Sequence, residues 1–416
     1  MAEKSILINQ TTNRDKFNFF FIEKKINEEF NKTKNENTIK NIENIPNRNK
    51  VKIRNPGIDL VRILGMWSII IHHILFHGQV LNKYKNYKIL NFINICSFRH
   101  VNSFSLISGI IGYKTNKYSN LLYLWFWVMT YQVGIHFVYK INRKNKNISP
   151  IFFYDFFPVI YSKYWYFTKY FGMYLFLPII NRGISYLKKN EHKLLIFSFY
   201  GIYIIWNDFM KKNRNAFGLN NGYSIIWFNI SYITGAYIGK YKNNYIGKRK
   251  LISFPILLSI YVLSSLICYK LIYYEVDSLK NKLMKKILIK FKQLFILRIN
   301  SIPMILQSLS IILLVINIKY NKYLSAIICF FGPLTFGIYL IHEHELIRSR
   351  IIKNLFSKYS KQLTKILVIK LVFIRSIYIF FICSFIDYLR YIIFEYFLRI
   401  KKICIYIEKN ILRLCT

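Results

Sequence analysis

Residues 57–80, GIDLVRILGMWSIIIHHILFHGQV, are apolar for long enough to cross a bilayer, which takes about 20 residues. The stretch nonetheless holds Asp59, Arg62, His72, His73 and His77. Ionisable groups are costly in hydrocarbon, so a helix that keeps them turns them toward a bundle interior or a wet cavity. A helix advances about 100° per residue, so Arg62 and His73, eleven positions apart, differ by only about 20° and share one face. They are separated by roughly 16 Å along the axis. Asp59 lies near the same stripe one turn before Arg62, and His72 points about 80° away from it.

Apolar segments continue at about 91–113, 120–141, 165–184, 193–210, 223–240, 251–274, 300–319, 325–347 and 366–394. The chain therefore reads as an all-α, polytopic membrane helical bundle of about ten transmembrane helices. A soluble chain of 416 residues would divide into roughly two or three domains. Apolar runs this long and this numerous, with 36 Phe and 34 Tyr, exclude that reading. The expected organisation is a polar, disordered cytosolic tail over 1–55, a membrane domain over 56–395 and a basic C-terminal tail over 396–416. The aromatic 150–164 piece is too short to span and reads as interfacial or re-entrant. The Lys-rich 275–298 piece reads as amphipathic and lying on the surface.

Residues 1–55 contain no apolar core of a cleavable signal, so insertion is expected to rely on an internal segment. An even number of spans puts both termini on one side. Basic residues occur in nearly every loop, so the positive-inside rule discriminates poorly. The long polar N-terminus favours cytosolic termini. The net charge of +43 comes from 61 Lys and Arg against 18 Asp and Glu, mostly in loops and tails. It accompanies heavy use of Asn, Ile, Tyr and Phe, and no motif points to nucleic acid. The six cysteines, at 96, 268, 329, 383, 404 and 415, have no paired or metal-type spacing and read as small buried apolar groups.

In FRHVNSFSLISGIIGYK, 98–114, Ser108 and Gly109 sit deep in an apolar helix that Arg99, His100 and Asn102 begin. Small residues there suit close helix packing, or a cavity wall at the level of Arg62. The aromatics of 164–181 read as an interface belt. Gly235, Ala236 and Gly239 form a small-residue packing face. PLTFGIYLIHEHELIR, 333–348, ends in His342, Glu343, His344 and Glu345, with Arg348 after them. His342 and His344 are two apart and point to opposite sides of a helix, so HExHE is not the zinc motif HExxH, and no metal is expected from it. A wet mouth on the same side as His73 and His77 is the better reading. Asp387 and Arg390, three apart, are expected to pair at the cytosolic surface. No phosphate-binding loop, GxGxxG or GxSxG sequence is present, against an ATP-driven pump or a soluble-type hydrolase.

Taken together, these stretches resemble the acyltransferase-3 family of multi-span membrane acyltransferases. The resemblance rests on Arg-x10-His at Arg62 and His73, Phe-x-x-x-Ser-Gly from Phe104 to Gly109, and the Tyr-Trp-aromatic element from Tyr164 to Pro178. Gly-Ala-Tyr-Ile-Gly-Lys-Tyr at 235–241 and Phe-Gly-Ile-Tyr-Leu-Ile-His at 336–342 complete it, in the family's order across about 57–395. The family's Ser-Gly-aromatic ending reads Ser-Gly-Ile here. The likeness is nearest to polysaccharide O-acetyltransferases. It implies an acyl-CoA donor, usually acetyl-CoA, on the cytosolic side, a carbohydrate or lipid-linked glycan acceptor on the other, and no bound cofactor. On this reading His73 is the catalytic base or acyl acceptor, and Arg62 binds and orients the donor. Asp59 orients Arg62 or only neutralises it. Ser108 and Gly109 shape the donor cavity, and His342, Glu343 and His344 line the acceptor mouth. A transporter or flippase using the same polar cavity is the alternative.

Overall fold

Hydrocarbon offers no partner to a backbone N–H or C=O, so a chain with this much apolar sequence is driven into helices. The computed structural model describes residues 54–98, 100–142, 153–206, 218–242, 245, 252–273, 298–360 and 362–414, and no strand occurs among them. Residues 1–53 of the expected N-terminal tail, 275–297 of the expected surface piece, Arg99 and Cys415 lie outside the described residues. Five helical stretches among the described residues are long and apolar enough to cross a membrane: Pro56–His77, Tyr118–Ile141, Phe254–Leu271, Lys322–Glu343 and Lys365–Phe397.

Helix α1, Pro56–His77, is the central post. Its start follows from sequence: Asn55 accepts a hydrogen bond from Gly57 N–H at 2.8 Å, Pro56 occupies the first turn, and Asp59 favours the positive helix end. α2 (Lys88–Phe98) and α3 (His100–Gly112) pack against it. α4 (Tyr118–Asn142), α5 (Trp165–Tyr186) and α6 (Lys189–Tyr200, continued by a wide turn to Trp206) follow. Next come α7 (Ile225–Lys240), α8 (Phe254–Tyr273) and α9 (Ile302–Ile316). α10 (Lys322–Phe331) and α11 (Thr335–Glu343) are one apolar stretch broken at Gly332–Leu334. Pro333 cannot donate to the helix ladder, which accounts for the break. α12 (Glu345–Ile351), α13 (Lys365–Ile392) and α14 (Ile400–Leu414) complete the order. α9, α10, α11 and α13 also pack on α1.

Two local arrangements hold the walls of the bundle in place. The first joins α3 and α7. A Cβ built on Gly109 would land on the Tyr232 carbonyl, one on Gly235 on the Leu106 carbonyl, and one on Gly239 on the Ile110 carbonyl. Lipid tails are as apolar as Leu, so such backbone contact is what attracts helices to each other in a bilayer. The second is a polar pin. Asp387 accepts from Arg390 Nε at 2.9 Å, from Tyr131 Oη at 2.7 Å and from Trp127 Nε1 at 3.1 Å. The Arg390 guanidinium lies 3.7 Å above the Trp127 ring, and Gly337 of α11 sits directly on the Asp387 carboxylate. Asp387 and Arg390 do pair, but in the interior between α4, α11 and α13, where both are buried. The expectation of a surface pair is corrected: three-residue spacing shows that two groups meet, not whether a neighbouring helix covers them.

The aromatic 153–164 segment sends Asp155 and Tyr164 into the protein, both fully buried, and leaves Ile160 and Tyr161 exposed. The basic C-terminal stretch forms α14, and Glu408 accepts the Tyr118 backbone N–H at the start of α4 at 2.6 Å. The close approach of α3 and α7 makes a direct prediction. Gly235→Val is expected to cost about 1–3 kcal/mol, read as a lower thermal midpoint of the purified protein in detergent. Gly134→Ala is the control: nothing lies within 4 Å of a Cβ there, so its midpoint should hold or rise.

Candidate active site

A cavity of about 480 Å³ runs beside α1. Arg62 and His73 both line it. Its other walls come from Phe104 and Ser108 of α3, Trp165, Tyr166 and Tyr170 of α5, and Thr335, Phe336, Tyr339 and Glu343 of α11.

At one end, Asp59 is fully buried and binds Arg62 Nη1 at 2.7 Å. Its carboxylate also pairs with Arg54. Gly332, at the helix break, sits against Asp59, with room for no side chain: a Cβ there would lie 2.6 Å from the carboxyl carbon. Asp59 therefore fixes Arg62 from behind and does not itself line the cavity. Arg62 keeps a quarter of its side chain exposed (25%). Ser108 donates to the Phe104 carbonyl at 2.8 Å and stands 3.2 Å from the Tyr170 hydroxyl. Gly109 faces α7 instead, so the Ser-Gly pair divides into one cavity residue and one packing residue.

At the other end, the break at Gly332–Leu334 re-aims α11 so that its last turn meets α1. His342 is fully buried, and its Nδ1–H donates to the Ile338 carbonyl at 2.6 Å. That bond puts the proton of the neutral ring on Nδ1 and leaves Nε2 with a lone pair. His73 Nδ1 lies 3.2 Å from that Nε2, so His73 donates from Nδ1. The nitrogen His73 then keeps for the cavity is an unprotonated Nε2. Glu343 Oε1 accepts from Arg348 Nη1 at 2.5 Å. Its Oε2 lies 3.1 Å from His73 Nδ1 yet makes no hydrogen bond among the described residues. The carboxylate is a charge partner of the His73 ring, while His342 is its hydrogen-bond acceptor.

His344 leaves this group. It stands between α11 and α12, where Nδ1 accepts the Leu346 backbone N–H at 3.3 Å. The two-residue spacing does separate it from His342. His72 also borders the cavity, with Nδ1 2.7 Å from Asn94 Oδ1. A lateral offset of about 80° still leaves it on the wall, because the cavity spans more than one stripe of α1.

The sequence reading missed three parts of the site. Trp165, Tyr166 and Tyr170 form an interior wall, which corrects the interface-belt reading. The signal was there in Tyr166 and Tyr170, four apart and so on one helix face. Asn94 carried no signal, being a single polar residue in an apolar run. Arg348 was visible only as a charge after the helix. It borders both this cavity and an adjoining cleft of about 380 Å³ lined by Phe76, His77, Gln79, Leu81, Asn82 and Lys353.

A base-competent imidazole with its far nitrogen held by a second histidine, on one wall with a fixed arginine, is an arrangement suited to group transfer. The acyltransferase-domain family profile matches residues 55–387, most of the chain. The chain belongs to the acyltransferase-3 family. The family match and the apolar helices together make it a membrane acyltransferase. Searches of curated proteins and of solved structures give no match. Glu343 Oε2 stands 3.1 Å from His73 Nδ1, close enough to stabilise positive charge on that ring. Glu343→Gln is expected to lower acyl-transfer turnover at least about tenfold, with the folded fraction unchanged by size exclusion.

Proposed function

We propose that the protein is an O-acyltransferase that moves an acetyl group from acetyl-CoA to a hydroxyl of a carbohydrate or lipid-linked glycan. The observation that carries this reading is the run of contacts from the Ile338 carbonyl through His342 to His73 Nδ1, which leaves His73 Nε2 to act as the base inside a cavity shared with Arg62. Arg62 binds donor phosphate, with Asp59 holding the guanidinium in place. Arg62 and His73 are roughly 16 Å apart along α1, a distance that asks for a long flexible arm between donor phosphates and thioester, as in CoA. Ser108 with Tyr170 borders the path of that arm. The acceptor enters past Arg348 from the adjoining cleft.

In the transfer step His73 Nε2 takes the acceptor hydroxyl proton as the oxygen attacks the thioester carbonyl. The new C–O bond forms, the C–S bond breaks, and the thiolate leaves with the proton that the imidazolium returns. Glu343 offsets the charge on His73 while that proton is held. His342, behind His73, is a positioning residue. His344 borders the acceptor mouth only through the turn it caps. On this reading the bundle has about ten spans, with the five long helices joined by shorter or more polar ones. Both termini lie in the cytosol, with Arg62 toward that side and His73 toward the other.

Labelled acetyl-CoA and candidate glycans, added to the membrane-embedded protein, test this. His73→Ala is expected to reduce acetyl transfer about 10²–10⁴-fold and His72→Ala far less. Undiminished transfer by His73→Ala sinks the assignment of the base. Movement of a substrate across sealed vesicles without label reaching any acceptor favours the transporter reading. Protease cleavage of residues 1–55 from the outside of vesicles oriented as in the cell overturns the cytosolic termini.

A further inference from the structure

His73 Nδ1, His342 Nε2 and Glu343 Oε2 cluster together, all three atoms within 4.8 Å of one another. Two of the separations are 3.2 Å and 3.1 Å. Zinc binds imidazole nitrogen and carboxylate oxygen at about 2.0–2.2 Å, which in a tetrahedron places neighbouring donors about 3.3 Å apart. These two edges have about that length. Two imidazoles and one carboxylate is also a donor set that zinc takes in open four-coordinate sites, the fourth position being left to water or substrate. The cavity runs beside the cluster, since His73 and Glu343 both line it.

A second observation points to a ligand here. Glu343 Oε2 is a buried oxygen that no hydrogen bond reaches among the described residues, although Oε1 of the same carboxylate is held by Arg348. A buried, unbonded carboxylate oxygen is costly, and few are left so in folded proteins. Behind the donors, the His342 Nδ1–H bond to the Ile338 carbonyl turns the Nε2 lone pair toward the cluster. Such an outer hydrogen bond is what orients metal-bound imidazoles. The ligands come from α1 and from α11, two positions in the chain that HExHE alone does not join. His342 and His344 still point apart, and His73 supplies the second imidazole.

We propose that His73, His342 and Glu343 form a binding site for a zinc-class divalent cation whose occupancy switches the acyltransferase off. The switch follows from the proton count. The cation takes the lone pairs of Nδ1, Nε2 and Oε2. The His73 ring proton must leave Nδ1 and return at Nε2, which becomes an N–H and no longer accepts a proton from the acceptor hydroxyl. The metal-free form is the active one. The inhibition rests on the base assignment under the proposed function; the binding does not.

The full-length protein, purified in detergent after chelator treatment and desalting, is titrated with Zn²⁺ against a chromophoric chelator. Co²⁺ serves as a spectroscopic probe of the coordination geometry. One equivalent is expected, with the visible bands of tetrahedral Co²⁺. His342→Ala and Glu343→Gln are each expected to weaken binding at least about tenfold. His192→Ala, at a buried histidine outside the cluster, should bind as the wild type does. Thermal midpoints and size exclusion establish that the variants are folded. His342→Gln, closer in size, replaces the alanine variant if that fails to fold. Absence of stoichiometric binding, or binding retained in both cluster variants, overturns the site. Acetyl transfer is then followed with and without Zn²⁺. Loss on addition and recovery with chelator are expected, whereas activity abolished by chelator overturns the inhibitory role. Zinc binding at the cluster without acyl transfer to any acceptor defeats the proposed function and leaves the site standing. Transfer without zinc binding does the reverse.

Discussion

The hydrogen bond from His342 Nδ1 to the Ile338 carbonyl orients the ring that meets His73 at one end of the cavity. It joins a side chain to the backbone one turn earlier in the same helix, so it is made as soon as α11 forms. It decides which nitrogen of His342 faces α1, and so which nitrogen of His73 carries the proton. The rest of the bundle serves to bring that turn of α11 against α1. Pro333 interrupts the helix, Gly332 lets the break close over Asp59, and Gly337 lets α11 settle on Asp387. Each glycine sits where a side chain would meet a carboxylate. Two buried acids thus hold α11 at both levels, one below the break and one along its length.

The two ends of the cavity are built on different principles. At the Arg62 end a fixed cation is held by a carboxylate that also serves Arg54, so the charge is shared and the guanidinium is oriented. At the His73 end stand paired imidazoles, and the one carboxylate is already engaged by Arg348. A negatively charged group is attracted to the first end. A reaction that moves one proton suits the second.

Much of this was legible in residues 57–80. A helix has one period, so the common face of Arg62 and His73 and the Asp59 contact followed from spacing. The small-residue face of α7 was also readable, because few side chains permit backbone contact. What spacing could not supply was the identity of the neighbour. In a membrane bundle the lipid-facing and protein-facing sides are both apolar, so periodicity does not say which side of α5 is inward, nor that Gly109 faces α7 while Ser108 faces the cavity. The same ambiguity hid the burial of Asp387. The joining of His73 to His342 depends on a proline break and a contact 269 residues apart, and no local pattern encodes that.

The contact between α3 and α7 has a mechanical meaning. Carbonyls of one helix lie where the other has no side chain, at three successive levels. Neither helix can slide or roll without a carbonyl striking a backbone, so the pair moves as one body. Ser108 rides on that body and its position is stiff. The opposite wall is interrupted at Gly332–Leu334 and again between Glu343 and Glu345, so it has two joints where the first has none. Of these two walls the α10–α12 side is thus the one built to bend, and bending it carries Glu343 and Arg348 along.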